Sequence, residues 1–209
     1  LAEQILFKTM PDLLKTPTPL DTDAFAEFKL GLNVAFYHLS HCGLYLGMFV
    51  FNDTSKIPIF RPELNRAEYL NVSADTIIIE QALLGEKSLY RYRFTMMHEC
   101  AHALLHHRYF SYDPNQLTLF EHEPMIQCRE IQYSLKENRS WSVKEIMEWQ
   151  ANTLAAALLM PKCMVIKVVN DLKMNRRLET SSCLISKLQS VFQVSEPAAR
   201  YRLSHLGLI

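Results

Sequence analysis

The chain has 209 residues, 49% of them hydrophobic, and sets 22 basic against 22 acidic side chains. That length supports one sizeable core, burying roughly 70% of the unfolded surface, and the zero net charge excludes a global electrostatic footprint for nucleic acid. Five cysteines at irregular spacings, with no Cys-x-x-Cys, exclude a disulfide framework and a zinc knuckle and fit a reducing cytosol, and no apolar run reaches the roughly 18 residues that span a membrane.

Residues 1–10 read as a short amphipathic helix or arm, without the basic and apolar regions of a secretory signal. Pro11, Pro17 and Pro19 then break the chain, so residues 1–20 are expected to form an N-terminal arm. From Asp21 a helix is expected to about residue 32, packed against the core. Residues 34–51 are rich in aromatic and β-branched side chains, with Gly43 and Gly47 as bends. Leu44–Phe51 reads as a strand and Asn52-Asp53 as the turn after it. His38 and His41 stand at an odd offset, which points them to opposite sides of a strand, and they read as structural. Residues 55–75, with Pro58 and Pro62, read as an irregular connection or weak strand, and Thr76–Glu80 as a clear short strand.

The next stretch carries the chemistry. His98-Glu99-Cys100-Ala101-His102 is an H-E-x-x-H pattern, which composition alone would place roughly 0.02 times in a chain of this length. Phe94 to Leu105 contains no Gly or Pro and is expected to be helical, with Thr95 as N-cap. On a helix, residues four apart lie about 40° apart in rotation and roughly 6 Å apart along the axis, so both imidazoles can aim at one metal ion. Glu99 is rotated away and can act as general base at the open coordination position. Cys100 lies on the opposite face and reads as core. Arg91 and Arg93 read as surface residues at the helix start.

A hydrolytic zinc site takes three protein ligands. An extended motif fails, because Leu105 and Arg108 stand where Gly and His are wanted, and His106 lies about 12 Å from His98 along the axis, too far to share an ion. The remaining source is a second helix. Ser142 to Met160 has an N-cap at Ser142, a capping box completed by Glu145, and a stop at Pro161. Its stripe of Ala151, Leu154, Ala155, Leu158 and Leu159 would pack against the motif helix. Glu148 as third ligand, with Asn152 one turn on to orient a ligand imidazole, fits these requirements. Glu145 is a rival on nearly the same face, already engaged in capping, and His122 in its Glu121-His122-Glu123 setting is another.

Between the two helices, residues 108–141 suggest a hairpin around Asp113-Pro114-Asn115 and a short helix from Arg129 to Lys136, and a segment of this length suits a lid or binding loop. Helical pattern resumes from Cys163 to Leu172, followed by a basic break at Lys173, Arg176 and Arg177. Two short helices around Gln193-Val194-Ser195 then resemble a helix-turn-helix unit. The second of them has Arg200 and Arg202 but little other positive charge, so packing or docking of a protein is favoured over DNA reading. Residues 184–205 are the one place where direct nucleic-acid contact is conceivable.

The run Arg93-Phe94-Thr95 through His98-Glu99-x-x-His102 and Leu104-Leu105-His106 resembles the signature of the ImmA/IrrE family of zinc metallopeptidases. So does Glu148-x-x-Ala151-Asn152-x-x-Ala155-Ala156-x-Leu158-Leu159-Met160-Pro161. A third block, Phe192-x-Val194-Ser195 through Arg202-Leu203 to Leu206-Gly207-Leu208-Ile209, is similar to the family's C-terminal block. The blocks span about residues 75 to 209. Cys100 and Ala101 depart from the small apolar residue and Gly that the family often has, and the interval from His102 to Glu148 is longer than usual. The resemblance implies a soluble bacterial or phage-derived protease, expected in the cytoplasm from its cysteines and related in site layout to the thermolysin-like peptidases, whose relatives cleave a repressor protein. It matches His98, His102 and Glu148 to the ligands of one Zn2+ per chain and Glu99 to the catalytic carboxylate.

The expected fold is α+β: a small sheet packed on a helix pair that carries the H-E-x-x-H zinc site, with a helical C-terminal appendage. The expected divisions are an arm at 1–20, a zinc metallopeptidase domain at 21–172 and a helix-turn-helix-like subdomain at 173–209. The expected function is zinc-dependent, site-specific cleavage of a transcriptional repressor. The alternatives are a zinc-binding regulatory protein that acts on a repressor or DNA without proteolysis, and a small-molecule hydrolase. Thr76–Glu80 or a neighbouring sheet edge is expected to bind extended substrate through backbone hydrogen bonds.

Overall fold

The computed structural model describes residues 1–110, 125–129, 141–174 and 180–209. The chain begins with helix α1 (Ala2–Thr9), a 3-10 turn (Pro11–Leu14) and a short helix α2 (Thr22–Ala24) that widens into a π turn (Phe25–Lys29). Strands β1 (Asn33–Tyr37), β2 (Tyr45–Val50), β3 (Thr54–Arg61), β4 (Arg66–Val72) and β5 (Thr76–Glu80) follow, then helix α3 (Leu89–Phe110) and strand β6 (Met125–Arg129). Helices α4 (Val143–Leu159), α5 (Lys162–Met174), α6 (Ser181–Phe192) and α7 (Glu196–His205) complete it. The architecture is α+β, as the sequence pattern implied.

The four-stranded sheet has the order β1-β5-β2-β6, with β1 parallel to β5 and the other pairs antiparallel. Its two central strands are covered on both faces. Phe49, Ile77 and Ile79 join the main core beside the helices, while Met48, Val50 and Ile78 pack with Ile57 and Ile59 in a second cluster. Burial on both faces is why Thr76–Glu80 reads as an unbroken apolar run and not as an alternation. Ile57 and Ile59 belong to the β3–β4 hairpin, which occupies the segment expected to be irregular. Pro58 is tolerated there because β3 has one partner strand among the described residues, and Asn65 makes the left-handed turn between the two at φ 47°.

Because β5 is hydrogen-bonded to β1 on one side and β2 on the other, it has no free edge for an extended peptide. The outer strands of the described sheet are β1 and β6. His38, read as structural, sits 2.8 Å through Nδ1 from Oε1 of buried Glu80, whose other oxygen accepts from the Leu39 amide.

The α4 helix begins at the expected cap: the Ser142 hydroxyl accepts from the Glu145 amide, and Glu145 returns a bond to the Ser142 amide. By contrast α3 starts well before Thr95, which lies buried in mid-helix and is not the N-cap. Arg93, expected at the surface, is also buried: its guanidinium donates to the carbonyls of Gln193 and Phe192 at the end of α6. One apolar cluster runs from Leu6 of α1 through Met96, Ala151 and Val165 to Phe192 and Leu203 of the last two helices. The hairpin expected around Asp113, the third-ligand rival His122 and the helix expected from Arg129, itself the end of β6, otherwise lie outside the described residues. Among the described residues no single helix is long and apolar enough to cross a membrane.

Candidate metal centre

Helix α3 brings His98, Glu99 and His102 into the interior, 1%, 0% and 0% exposed respectively. Glu148 reaches the same place from α4 and is also buried. Small side chains suit the two helices to close packing: Ala151 and Ala155 of α4 and Ala101 of α3 are fully buried in one apolar cluster. The ligand-type atoms of His98, His102 and Glu148 all lie within 4.8 Å of one another, a group that could hold a metal ion. The two imidazole Nε2 atoms are 2.9 Å apart, and the Glu148 carboxylate oxygens stand 3.2 Å from His98 Nε2 and 3.4 Å from His102 Nε2.

The outer nitrogens of both imidazoles are held. His98 Nδ1 lies 2.9 Å from Asn152 Oδ1, the contact that the one-turn spacing from Glu148 led us to expect. His102 Nδ1 lies 2.9 Å from Nδ1 of His106, and His106 Nε2 lies 3.0 Å from Oε1 of Gln150 on α4. An Nδ1–H donated to an Asn carbonyl leaves the Nε2 lone pair of His98 aimed at the space it shares with His102 and Glu148.

Burial works against charge here. It holds the His102 imidazole down to about 4, although the Glu148 carboxylate beside it pulls the other way. The neutral imidazole is the form that coordinates a metal. Burial pushes Glu148 up, but the imidazoles of His102 and His98 at hydrogen-bond distance outweigh it and leave the carboxyl at about 2, ionised. Glu99 is different. Both of its oxygens are buried without a hydrogen-bond partner, and burial, followed by the nearby charge of Glu148, raises its pKa well above the ordinary carboxyl value.

The donor set fits a metal ion. Two imidazole nitrogens and a carboxylate converge here, and among the described residues a buried carboxylate with no hydrogen-bond partner, Glu99, stands beside the carboxylate of that set. Polar groups buried in this way are costly unless something satisfies them. A divalent cation with a water in its open position would do so.

Glu145, the rival for the third ligand position, is spent on the cap of α4. Three residues of the site's surroundings escaped the sequence reading. His106 was set aside as too distant to share an ion with His98, but its place four residues after His102 is itself the signal of a contact between those two. Gln150 gave no signal. Gly47 read as a bend, yet it lies within β2 on the helix-facing side: a Cβ added there would fall 2.5 Å from Glu99 Oε1 and 2.6 Å from Thr95 Cγ2. The strand can rest on Glu99 only because that residue has no side chain.

A buried His-His-Glu group between two helices of an α+β fold could hold a metal ion, with the donor set of a hydrolytic zinc site. Residues 115–204 match the model of the peptidase M78 family, the IrrE N-terminal-like domain. The match supports the ImmA/IrrE resemblance over a stretch that includes Glu148, Gln150 and Asn152. The H-E-x-x-H helix precedes the matched residues and is joined to them by the contacts just described. Comparison with curated proteins finds no match.

Proposed function

We propose that the chain is a zinc-dependent endopeptidase of the cytosol that cuts a transcriptional repressor at a specific site. The observation that carries this reading is the pairing of the His98–His102–Glu148 group with the buried, unpartnered carboxylate of Glu99. A purely structural site has no use for such a carboxylate.

His98, His102 and Glu148 would hold the ion, one per chain. Zinc, when bound, lowers the pKa of a coordinated water toward about 7 and polarises a peptide carbonyl. Glu99 takes a proton from the attacking water and delivers it to the leaving amine. Asn152 keeps His98 in the coordinating tautomer through Nδ1. The substrate class rests on the ImmA/IrrE resemblance. A protein target is also favoured over nucleic acid by the charges of α7: Arg202 is buried against the Met160 carbonyl and Arg200 is paired with Glu196. The free cysteines among the described residues suit a reducing compartment.

The test joins metal content to proteolysis. The purified protein is assayed for zinc and incubated with the repressor encoded nearest its gene, alongside Glu99→Gln and Glu148→Ala. The expected result is one equivalent of zinc and a discrete cut in the wild type, zinc without cutting in Glu99→Gln, and loss of zinc in Glu148→Ala. Cutting that survives Glu99→Gln, or a wild type without zinc, would overturn the reading.

A further inference from the structure

Helix α3 carries a third imidazole in line with the two that face the metal position. His106 is 4% exposed, makes its Nδ1 contact with His102 Nδ1 at 2.9 Å, and reaches Gln150 Oε1 from Nε2 at 3.0 Å. A neutral imidazole has one N–H and one lone pair, so a chain of such contacts admits only two orders of protons. In the first, the Gln150 carbonyl oxygen accepts from His106 Nε2–H, His106 Nδ1 accepts from His102 Nδ1–H, and His102 Nε2 keeps its lone pair, against the pull of the Glu148 carboxylate 3.4 Å away for a proton there. In the second, the Gln150 amide is turned over and donates to His106 Nε2. His106 then donates from Nδ1, and the proton of His102 is forced onto Nε2, 2.9 Å from His98 Nε2, in the space a metal would need.

We propose that His106 and Gln150 are positioning residues: together they select the Nδ1–H tautomer of His102 and so present its Nε2 lone pair to the metal. This deepens the metal reading above and rests on it. The amide oxygen at the end of the relay belongs to an exposed residue on the rim of a groove of about 500 Å³ between α1, α3, α4 and α7, also lined by Leu105 and Trp149. Gln150 can therefore be replaced without disturbing the core.

The experiment measures the zinc dissociation constant by competition with a chelator, and the His102 tautomer of the metal-free protein from ring-nitrogen NMR. Gln150→Met, which offers no strong acceptor, should weaken zinc binding roughly tenfold and mix the His102 tautomers, within the range seen when a group behind a ligand histidine is removed. Gln150→Glu, an acceptor only, should hold zinc at least as tightly as the wild type and keep Nδ1–H. His106→Asn, whose side-chain oxygen can take the place of Nδ1, should retain more affinity than His106→Phe, which separates the hydrogen bond from the packing. Unchanged affinity or an unchanged tautomer in Gln150→Met would overturn the proposal while leaving the metal reading intact. A wild type that binds no zinc would overturn the metal reading, and the proposal with it.

Discussion

At Gly47 a single hydrogen atom occupies the place where any other residue would strike the proposed general base. The nearest atoms to an added Cβ are Oε1 of Glu99 and Cγ2 of Thr95, both on a rigid helix. Gly47→Ala should therefore push the Glu99 carboxylate aside or lift β2, at an overpacking cost of about 1–3 kcal/mol. Because no atom of His98, His102 or Glu148 is among those nearest the added Cβ, zinc content should be preserved while the cutting rate falls on the order of 100-fold, the scale of a misplacement of about 1 Å at a reacting group. A variant that cuts normally would show that Glu99 does not work from this position. The pairs His98–His102 and Glu148–Asn152 were each legible from sequence because helical spacing is a local rule, while the meeting of the two helices rested on the apolar stripe of α4 and on the family resemblance. Gly47 and Gln150 were not legible, since each acquires its meaning from an element distant in the chain. His106 could have been found by applying the four-residue rule a second time, to His102 and not to the ion.

The same division holds for elements. α4 was readable to within a residue or two because its start is written in one hydrogen-bonded box and its stop in a proline. Ser142→Ala should remove that cap and cost about 1 kcal/mol, read as a lower denaturation midpoint with an unchanged fold. A loss below a few tenths would mean that Glu145 and solvent cover the exposed amides unaided. α3 was harder. Its buried residues include Arg93, Thr95, His98, Glu99 and His106 beside Met96 and Met97, so polar and apolar side chains share the interior and no apolar stripe marks its extent. The hairpin of β3 and β4 was obscured by a register irregularity between Thr54 and Ile57, by Pro58, and by several exposed positions along both strands. The strand β5 was plain for the opposite reason, because all five of its residues are buried.

Across the molecule, each helix of the metal centre is tied to the C-terminal pair by a buried arginine. Arg93 of α3 donates to the last carbonyls of α6, and Arg202 of α7 donates to the Met160 carbonyl at the end of α4. In both cases a cation meets the negative end of a helix. The apolar cluster that encloses Met96 and Ala155 also contains Leu188, Phe192 and Leu203, so the last two helices share the core of the site. Such a molecule should unfold in one transition. The fluorescence of Trp141 and Trp149, which flank and sit on α4, and the helical circular dichroism should therefore move together with denaturant. Arg93→Met leaves the Phe192 and Gln193 carbonyls without their charged donor and should cost roughly 3 kcal/mol, again in a single transition. Zinc at about 100 times its dissociation constant should return about 2.7 kcal/mol to wild type and variant alike, because it binds only the folded form. If helical signal is instead lost before the tryptophan signal, with zinc protecting only the second phase, α6 and α7 form an independent unit. Arg93 would then be a docking contact between two cores, not a tie within one.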